Sequence, residues 1–185
     1  MRIFLAGISC VGKTTIGAEL AALLKCTFFD LDAEIESYFS TPIERLQDKH
    51  LSKLSFRKET SKALKHILDQ QASLISVIAL RPSGLMDSYW RLVKKSKGIV
   101  VVLTDDAENI LNRIVFFDKN SKPIQKSLTI KERSYYLKEI KKHITYYNRT
   151  YKKGDITVHI SGLKPDQAAV KIKDALQNYQ SKNID

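Results

Sequence analysis

The chain has 185 residues, 43% hydrophobic and 28% charged, a globular composition that excludes disordered, collagen-like and low-complexity proteins. At this length a single core closes without disulfides or a structural metal, so one domain spanning residues 1–185 is expected. The formal net charge is +11 and unevenly spread: from Lys119 to Lys153 eleven Lys and Arg face only Glu132 and Glu139, which reads either as a solvated helix surface or as a face toward phosphates or nucleic acid.

In chain order, short apolar runs bounded by turn residues stand at 3–6, 27–29, 74–80, 99–103 and 156–160. They are nearly continuous instead of alternating, as parallel strands covered on both faces require. Helical spacing fills the intervals at 14–24, 52–68, 107–116, 130–147 and 166–179. This alternation predicts an α/β fold, a doubly wound parallel sheet with right-handed crossovers. Residues 118–127, polar and containing Pro123, are expected to form a mobile surface loop between two helices. The run 99–103 is far too short to span a membrane, and the apolar start is too short for a signal peptide, so a cytoplasmic protein without membrane contact is expected. Cys10 and Cys26 have neither CxxC spacing nor a histidine cluster beside them, and both are expected to be free thiols. The histidines, His50, His66, His143 and His159, show no triad or metal spacing.

Two segments carry chemistry. Gly7-Ile8-Ser9-Cys10-Val11-Gly12-Lys13-Thr14 fits GxxxxGK[ST], between a predicted strand and a predicted helix. There glycines let the backbone N–H groups curl around phosphates, Lys13 reaches the outer phosphates and Thr14 is available to Mg²⁺. Asp30-Leu31-Asp32 closes the second predicted strand, at the sheet edge where ligands bind in open parallel sheets. One carboxylate could hold water on Mg²⁺ while the other receives or orients a hydroxyl proton; alternatively Asp32 is a helix N-cap.

At this point the chain resembles the shikimate kinase family. The resemblance rests on Gly7 to Gly17, on Phe28-Phe29-Asp30-Leu31-Asp32 with Ala33-Glu34-Ile35-Glu36, and on Phe56-Arg57 at the family's FR motif. It continues in Leu111-Asn112-Arg113, in Asn120-Ser121-Lys122-Pro123-Ile124 at the lid motif NxRPL, and in Lys164-Pro165 at the adenine-packing segment. The implied fold is that of P-loop NTPases, a five-stranded parallel sheet with helices on both faces. The implied cofactors are ATP, on Gly7, Cys10, Val11, Gly12, Lys13, Thr14, Thr15, Arg113 and Pro165, and Mg²⁺, on Thr14 and, through water, Asp30. Lys13, Asp32 and the lid residue Lys122 would be catalytic, and Asp32, Arg57, Arg81 and Lys142 would meet the acceptor.

The departures lie on the acceptor side. Arg81-Pro82-Ser83 stands where the family has three glycines, Lys122 replaces the lid arginine, and Lys142-His143-Ile144-Thr145-Tyr146 stands at the RxPxY segment. Pro82 has no N–H to donate. The expectation is therefore an ATP-dependent kinase, monomeric, acting on a hydroxyl of a small anionic metabolite. The alternatives are a nucleotide-binding regulator that has lost this reaction and a protein that binds or phosphorylates nucleic acid.

Overall fold

Along the first strand, β1 (Arg2–Ala6), Ile3 and Leu5 enter one apolar cluster while Phe4 and Ala6 enter another on the opposite face, the two-residue period of an extended chain. The computed structural model describes residues 1–70, 75–120 and 122–182. After β1 come α1 (Lys13–Leu24), β2 (Thr27–Asp30), α2 (Leu31–Phe39), α3 (Ile43–Asp48), α4 (Lys53–Gln70) and β3 (Ser76–Ala79). The chain continues through α5 (Asp87–Lys95), β4 (Ile99–Thr104), α6 (Ala107–Asn112), β5 (Phe116–Phe117), β6 (Pro123–Ile124), α7 (Ile130–Tyr151), β7 (Ile156–His159) and α8 (Pro165–Lys182).

The five longer strands form one sheet in the order β2-β3-β1-β4-β7, every neighbouring pair parallel. Both faces are covered. Ile16 and Leu20 of α1 pack with Ala168, Ile172 and Leu176 of α8 on one side, and Ile35 of α2, Leu64 and Ile67 of α4 and Tyr89 and Val93 of α5 pack on the other. That double cover is why the central strands β1, β3 and β4 read as continuous apolar runs.

Several expected boundaries move. The expected strand 74–80 is β3, and Leu74 lies outside the described residues. The expected helix 107–116 stops at Asn112, and Phe116 instead enters the antiparallel pair β5–β6, with Phe116 opposite Ile124 and Phe117 opposite Pro123. β-Branched and aromatic residues in Ile114-Val115-Phe116-Phe117 favour the extended form. The segment 118–127 is thus built partly as a hairpin: the Asp118 N–H donates to the Lys122 carbonyl at 2.9 Å, and its carboxylate accepts from the Asn120 and Lys122 N–H groups. Helix α7 begins at a complete capping box. The Thr129 hydroxyl accepts from the Glu132 N–H, and the Glu132 carboxylate accepts from the Thr129 N–H.

Candidate active site

Residues 7–12 carry the chain from the carboxyl end of β1 into α1. β1 lies between β3 and β4, so the loop opens at the switch point of the sheet. Gly7 has φ 146°, and a Cβ there would stand 2.7 Å from the Leu103 carbonyl oxygen; glycine lets the loop turn this close to β4. Gly12, at φ 101°, is the N-cap of α1, and no side chain caps that helix. Its first-turn N–H groups therefore face outward, the usual arrangement for receiving an anion. Lys13 Nζ donates to the carbonyls of Gly7 at 2.9 Å and Ile8 at 2.8 Å. Burial lowers its pKa to about 8, against the opposing pull of Asp32, Cys10 and Asp30.

Beside the loop, Thr14 Oγ1 donates to Asp30 Oδ2 at 2.5 Å, and Asp30 Oδ1 accepts from the Asp32 N–H at 2.9 Å. The N-cap of α2 is therefore Asp30, not Asp32, because the backbone is already helical at Leu31. Asp32 sits in the first turn with its side chain half open to the cleft. Desolvation by the cleft walls raises its pKa; Arg81 opposes the rise, Asp30 adds to it and Lys13 opposes it. The Thr14 hydroxyl and Asp30 carboxylate are adjacent hard oxygen donors, which fit Mg²⁺. Among the described residues no cluster of three His, Cys, Asp or Glu could hold a metal, so the remaining ligands there would be water and phosphate oxygens, as is usual for this ion.

The cleft encloses about 710 Å³ and is lined by Gly12, Lys13, Thr14, Asp30, Asp32, Pro82, Arg113 and Phe117, among others. On its acceptor side, residues 81–84 form a tight turn in which the Gly84 N–H donates to the Arg81 carbonyl at 2.8 Å, with Pro82 and Gly84 at positions that such a turn favours. The Arg81 guanidinium lies 4.9 Å from the Phe56 ring centroid, and its Nη1 is 3.0 Å from Asp32 Oδ1. The approach is an ion pair outside hydrogen-bond geometry, and this buried nitrogen makes no hydrogen bond. Arg57, on α4, donates through Nε to Asp87 Oδ2 at 2.7 Å. Burial raises the pKa of Tyr147 on α7, Tyr146 adds to the rise, and the charges of Arg57 and Arg81 oppose it.

On the nucleotide side, Arg113 Nε donates to the Cys10 carbonyl at 3.1 Å, and Nη2 pairs with the buried Asp105. Burial pushes the Asp105 carboxyl up, but hydrogen bonds from Asn109, Arg113 and the Asp106 N–H outweigh it and hold the group below its usual value. Over the cleft, the β5–β6 hairpin reaches α3, where Arg45 donates to Asn120 Oδ1 and Asp48 lies 4.0 Å from Lys119 Nζ.

Cys10, Gly12, Lys13, Thr14 and Thr15 thus meet Asp30, Asp32 and Arg113 around one opening, Arg81 reaches Asp32 from the 81–84 turn, and Arg57 is held on Asp87. Among the expected residues, Gly7, Val11, Arg57, Arg81, Lys122, Lys142 and Pro165 do not line that opening. Lys142 pairs with Glu139 at 2.6 Å on an exposed face of α7 and lines a separate groove with Lys138, Lys141 and Tyr146. Lys122 is exposed on the hairpin with its backbone tied to Asp118, and Pro165 is the first residue of α8; neither lines the cleft. Sequence reasoning missed Asp105, Asp87 and Tyr147. Only Asp105 carried a signal, as an acidic residue just after the apolar run that becomes β4.

A phosphate loop at the switch point, with the Thr14–Asp30 pair of oxygen donors and Asp32 in the first turn of the helix after the next strand, defines a P-loop phosphotransferase. The shikimate kinase family model matches residues 9–177, and the chain belongs to that family. It is 30% identical over 172 residues to the shikimate kinase of Aquifex aeolicus, with 92% of each chain covered. The crystal structure of the Aquifex aeolicus shikimate kinase superposes with a TM-score of 0.72 at 25% identity, covering 97% of this chain and 98% of that one. The Acinetobacter baumannii shikimate kinase in complex with shikimate superposes at 0.75 and 25% identity, covering 100% and 95%. The chain is thus an ATP-dependent kinase of small metabolites. Among the described residues no helix is long and apolar enough to cross a membrane.

Proposed function

We propose that this chain, as one monomeric cytoplasmic domain with residues 118–127 as its lid, moves the γ-phosphoryl group of ATP to a hydroxyl of a small anionic metabolite. The observation that carries the proposal is the opening of Lys13, the Thr14–Asp30 pair and Asp32 onto one cleft. Phosphoryl transfer through a loose transition state asks the protein for positioning and charge neutralisation more than for covalent work. The loop N–H groups and the α1 N-terminus hold the phosphates, and Lys13 leaves the Gly7 and Ile8 carbonyls to meet them. Arg113, steadied by Asp105, braces the loop from the nucleotide side. Thr14 and, through water, Asp30 would hold Mg²⁺, which when bound would neutralise charge on the phosphate oxygens. Asp32 aligns the acceptor hydroxyl and takes its proton, Arg57 offers a planar guanidinium to a carboxylate, and Lys122 on the lid adds positive charge as water is excluded.

The test is ATP turnover against shikimate, other hydroxy acids, nucleosides and a 5′-hydroxyl oligonucleotide, with Lys13→Ala as control. Transfer to a hydroxy acid, lowered at least about 100-fold in a folded Lys13→Ala variant, is expected. Nucleotide binding with no transfer to any acceptor would instead support a regulator. Salt-sensitive transfer to the oligonucleotide would support action on nucleic acid.

A further inference from the structure

We propose that Arg81 is an acceptor-binding residue and that the acceptor carries two anionic groups, one for Arg57 and one for Arg81, flanking the hydroxyl presented to Asp32. The inference rests on the kinase reading above and names its substrate class.

The first support is that Arg81 is held by rigid structure. Its own carbonyl closes the 81–84 turn, Tyr151 donates to the Pro82 carbonyl at 3.1 Å, and Lys153 donates to the Leu85 carbonyl at 2.8 Å. The last residue of α7 and Lys153 just beyond it thereby hold the loop from which Arg81 projects, and the Phe56 ring supports the guanidinium from α4. With only 14% of its side chain exposed, Arg81 does not sit on the surface as a solvated cation would.

The second support is how incompletely the two arginines are used. Each has one internal carboxylate, Asp87 for Arg57 and Asp32 for Arg81. A guanidinium offers five N–H donors in a planar fork. Among the described residues, Arg57 spends Nε alone, and Arg81 makes no side-chain hydrogen bond at all, leaving a buried Nη1 without an acceptor. Buried donors normally find an acceptor, and a carboxylate or phosphate oxygen of a ligand would supply one here.

The third support is the partner that Arg81 has taken. While Asp32 neutralises Arg81, it is a poorer acceptor for a hydroxyl proton, because a paired carboxylate is less basic. An acceptor that brings its own anion to Arg81 replaces Asp32 there and releases it to the hydroxyl. An acceptor with one anionic group, bound at Arg57, leaves the Arg81–Asp32 pair closed. Selection thus arises from the release of Asp32 as well as from the added contact.

The measurement is calorimetric binding to the full chain with Mg²⁺ and a non-hydrolysable ATP analogue. It uses two matched pairs, glycerate with 3-phosphoglycerate and lactate with malate, alongside ATP turnover of the same compounds. The expected result is that the second anion tightens binding at least tenfold in at least one pair. That gap should shrink below threefold in Arg81→Gln and be intermediate in Arg81→Lys, which keeps the charge without the fork. A gap in the phosphate pair assigns a phosphate to Arg81, and one in the malate pair a carboxylate. No gap in either pair for the unmodified chain, or an undiminished gap in Arg81→Gln, overturns the proposal. If Arg81→Gln does not fold by circular dichroism, Arg81→Lys decides, and an undiminished gap there overturns it equally. Absence of turnover with every acceptor counts against the kinase reading, whereas the binding gap still decides the role of Arg81.

Discussion

The position of Asp32 follows from Asp30, which caps α2 and sets Asp32 in its first turn at the cleft. In Asp32→Asn, kcat for the preferred acceptor should fall about 100-fold or more, the usual range for a positioned acid–base group, with little change in nucleotide affinity measured by calorimetry. Loss of nucleotide affinity with unchanged turnover would move Asp32 to the metal and pass its role to Asp30. The Gly7–Thr14 loop was legible in the sequence because its chemistry depends on consecutive residues. The division between Asp30 and Asp32 was not, because it turns on whether Leu31 is extended or helical, a one-residue difference within boundary uncertainty. Arg57–Asp87 and Arg81–Asp32 join residues 30 and 49 positions apart, and no local pattern marks such pairs.

Helix α7 ties the segment after the β5–β6 hairpin to the body, since Lys126 pairs at 3.0 Å with Glu132 of the capping box. Hydrogen bonds from the Thr129 N–H, from Lys126 and from the Thr129 hydroxyl hold the Glu132 carboxyl at a pKa of about 2, against an ordinary value of 4.5. The folded chain therefore takes up this proton later than the unfolded one. The stability contributed by the cap is complete above about pH 4.5 and is lost as pH falls toward about 2. A carboxyl NMR titration should give a midpoint near 2 for Glu132, and Thr129→Ala should raise that midpoint and cost about 1 kcal/mol in denaturant unfolding; a midpoint near 4.5 in the unmodified chain would mean that the box does not persist in solution. Across the cleft, Arg45 and Asp48 of α3 give the hairpin a docking edge. Hydrogen exchange in β5–β6 should therefore slow when an ATP analogue binds, with a smaller slowing in Arg45→Ala; equal exchange with and without the analogue would count against a closing lid. The long helices were legible from their period, and the hairpin was not, because it depends on an Asp118 turn within a short, polar stretch.

For the molecule as a whole, the central strands β1, β3 and β4 were visible as apolar runs because parallel strands hidden on both faces leave no polar alternation; the edge strands β2 and β7 are only partly covered. The nucleotide side was legible with them, and the acceptor side was visible chiefly as a set of departures. Those departures are physically connected: Arg81, Pro82 and Ser83 replace flexible backbone by a turn that Gly84, Tyr151 and Lys153 hold in place, and the turn delivers a guanidinium to Asp32. An acceptor suited to a glycine-lined pocket loses backbone donors here, at about 1–3 kcal/mol for each polar partner left unmade, and meets an Asp32 already engaged. Shikimate should accordingly be a poor substrate, with kcat/KM below about 10⁴ M⁻¹s⁻¹, the lower end for enzymes on their own substrates. Placing glycine at 81, 82 and 83 together should raise that value at least about tenfold, as expected when one lost hydrogen bond is restored, while leaving nucleotide affinity unchanged. Because the turn also anchors α7, the same variant should melt at a lower temperature, so the comparison belongs well below its transition. Efficient phosphorylation of shikimate by the unmodified chain would show that Arg81 swings clear of Asp32 when a single carboxylate binds at Arg57, and that the turn narrows the pocket without closing it.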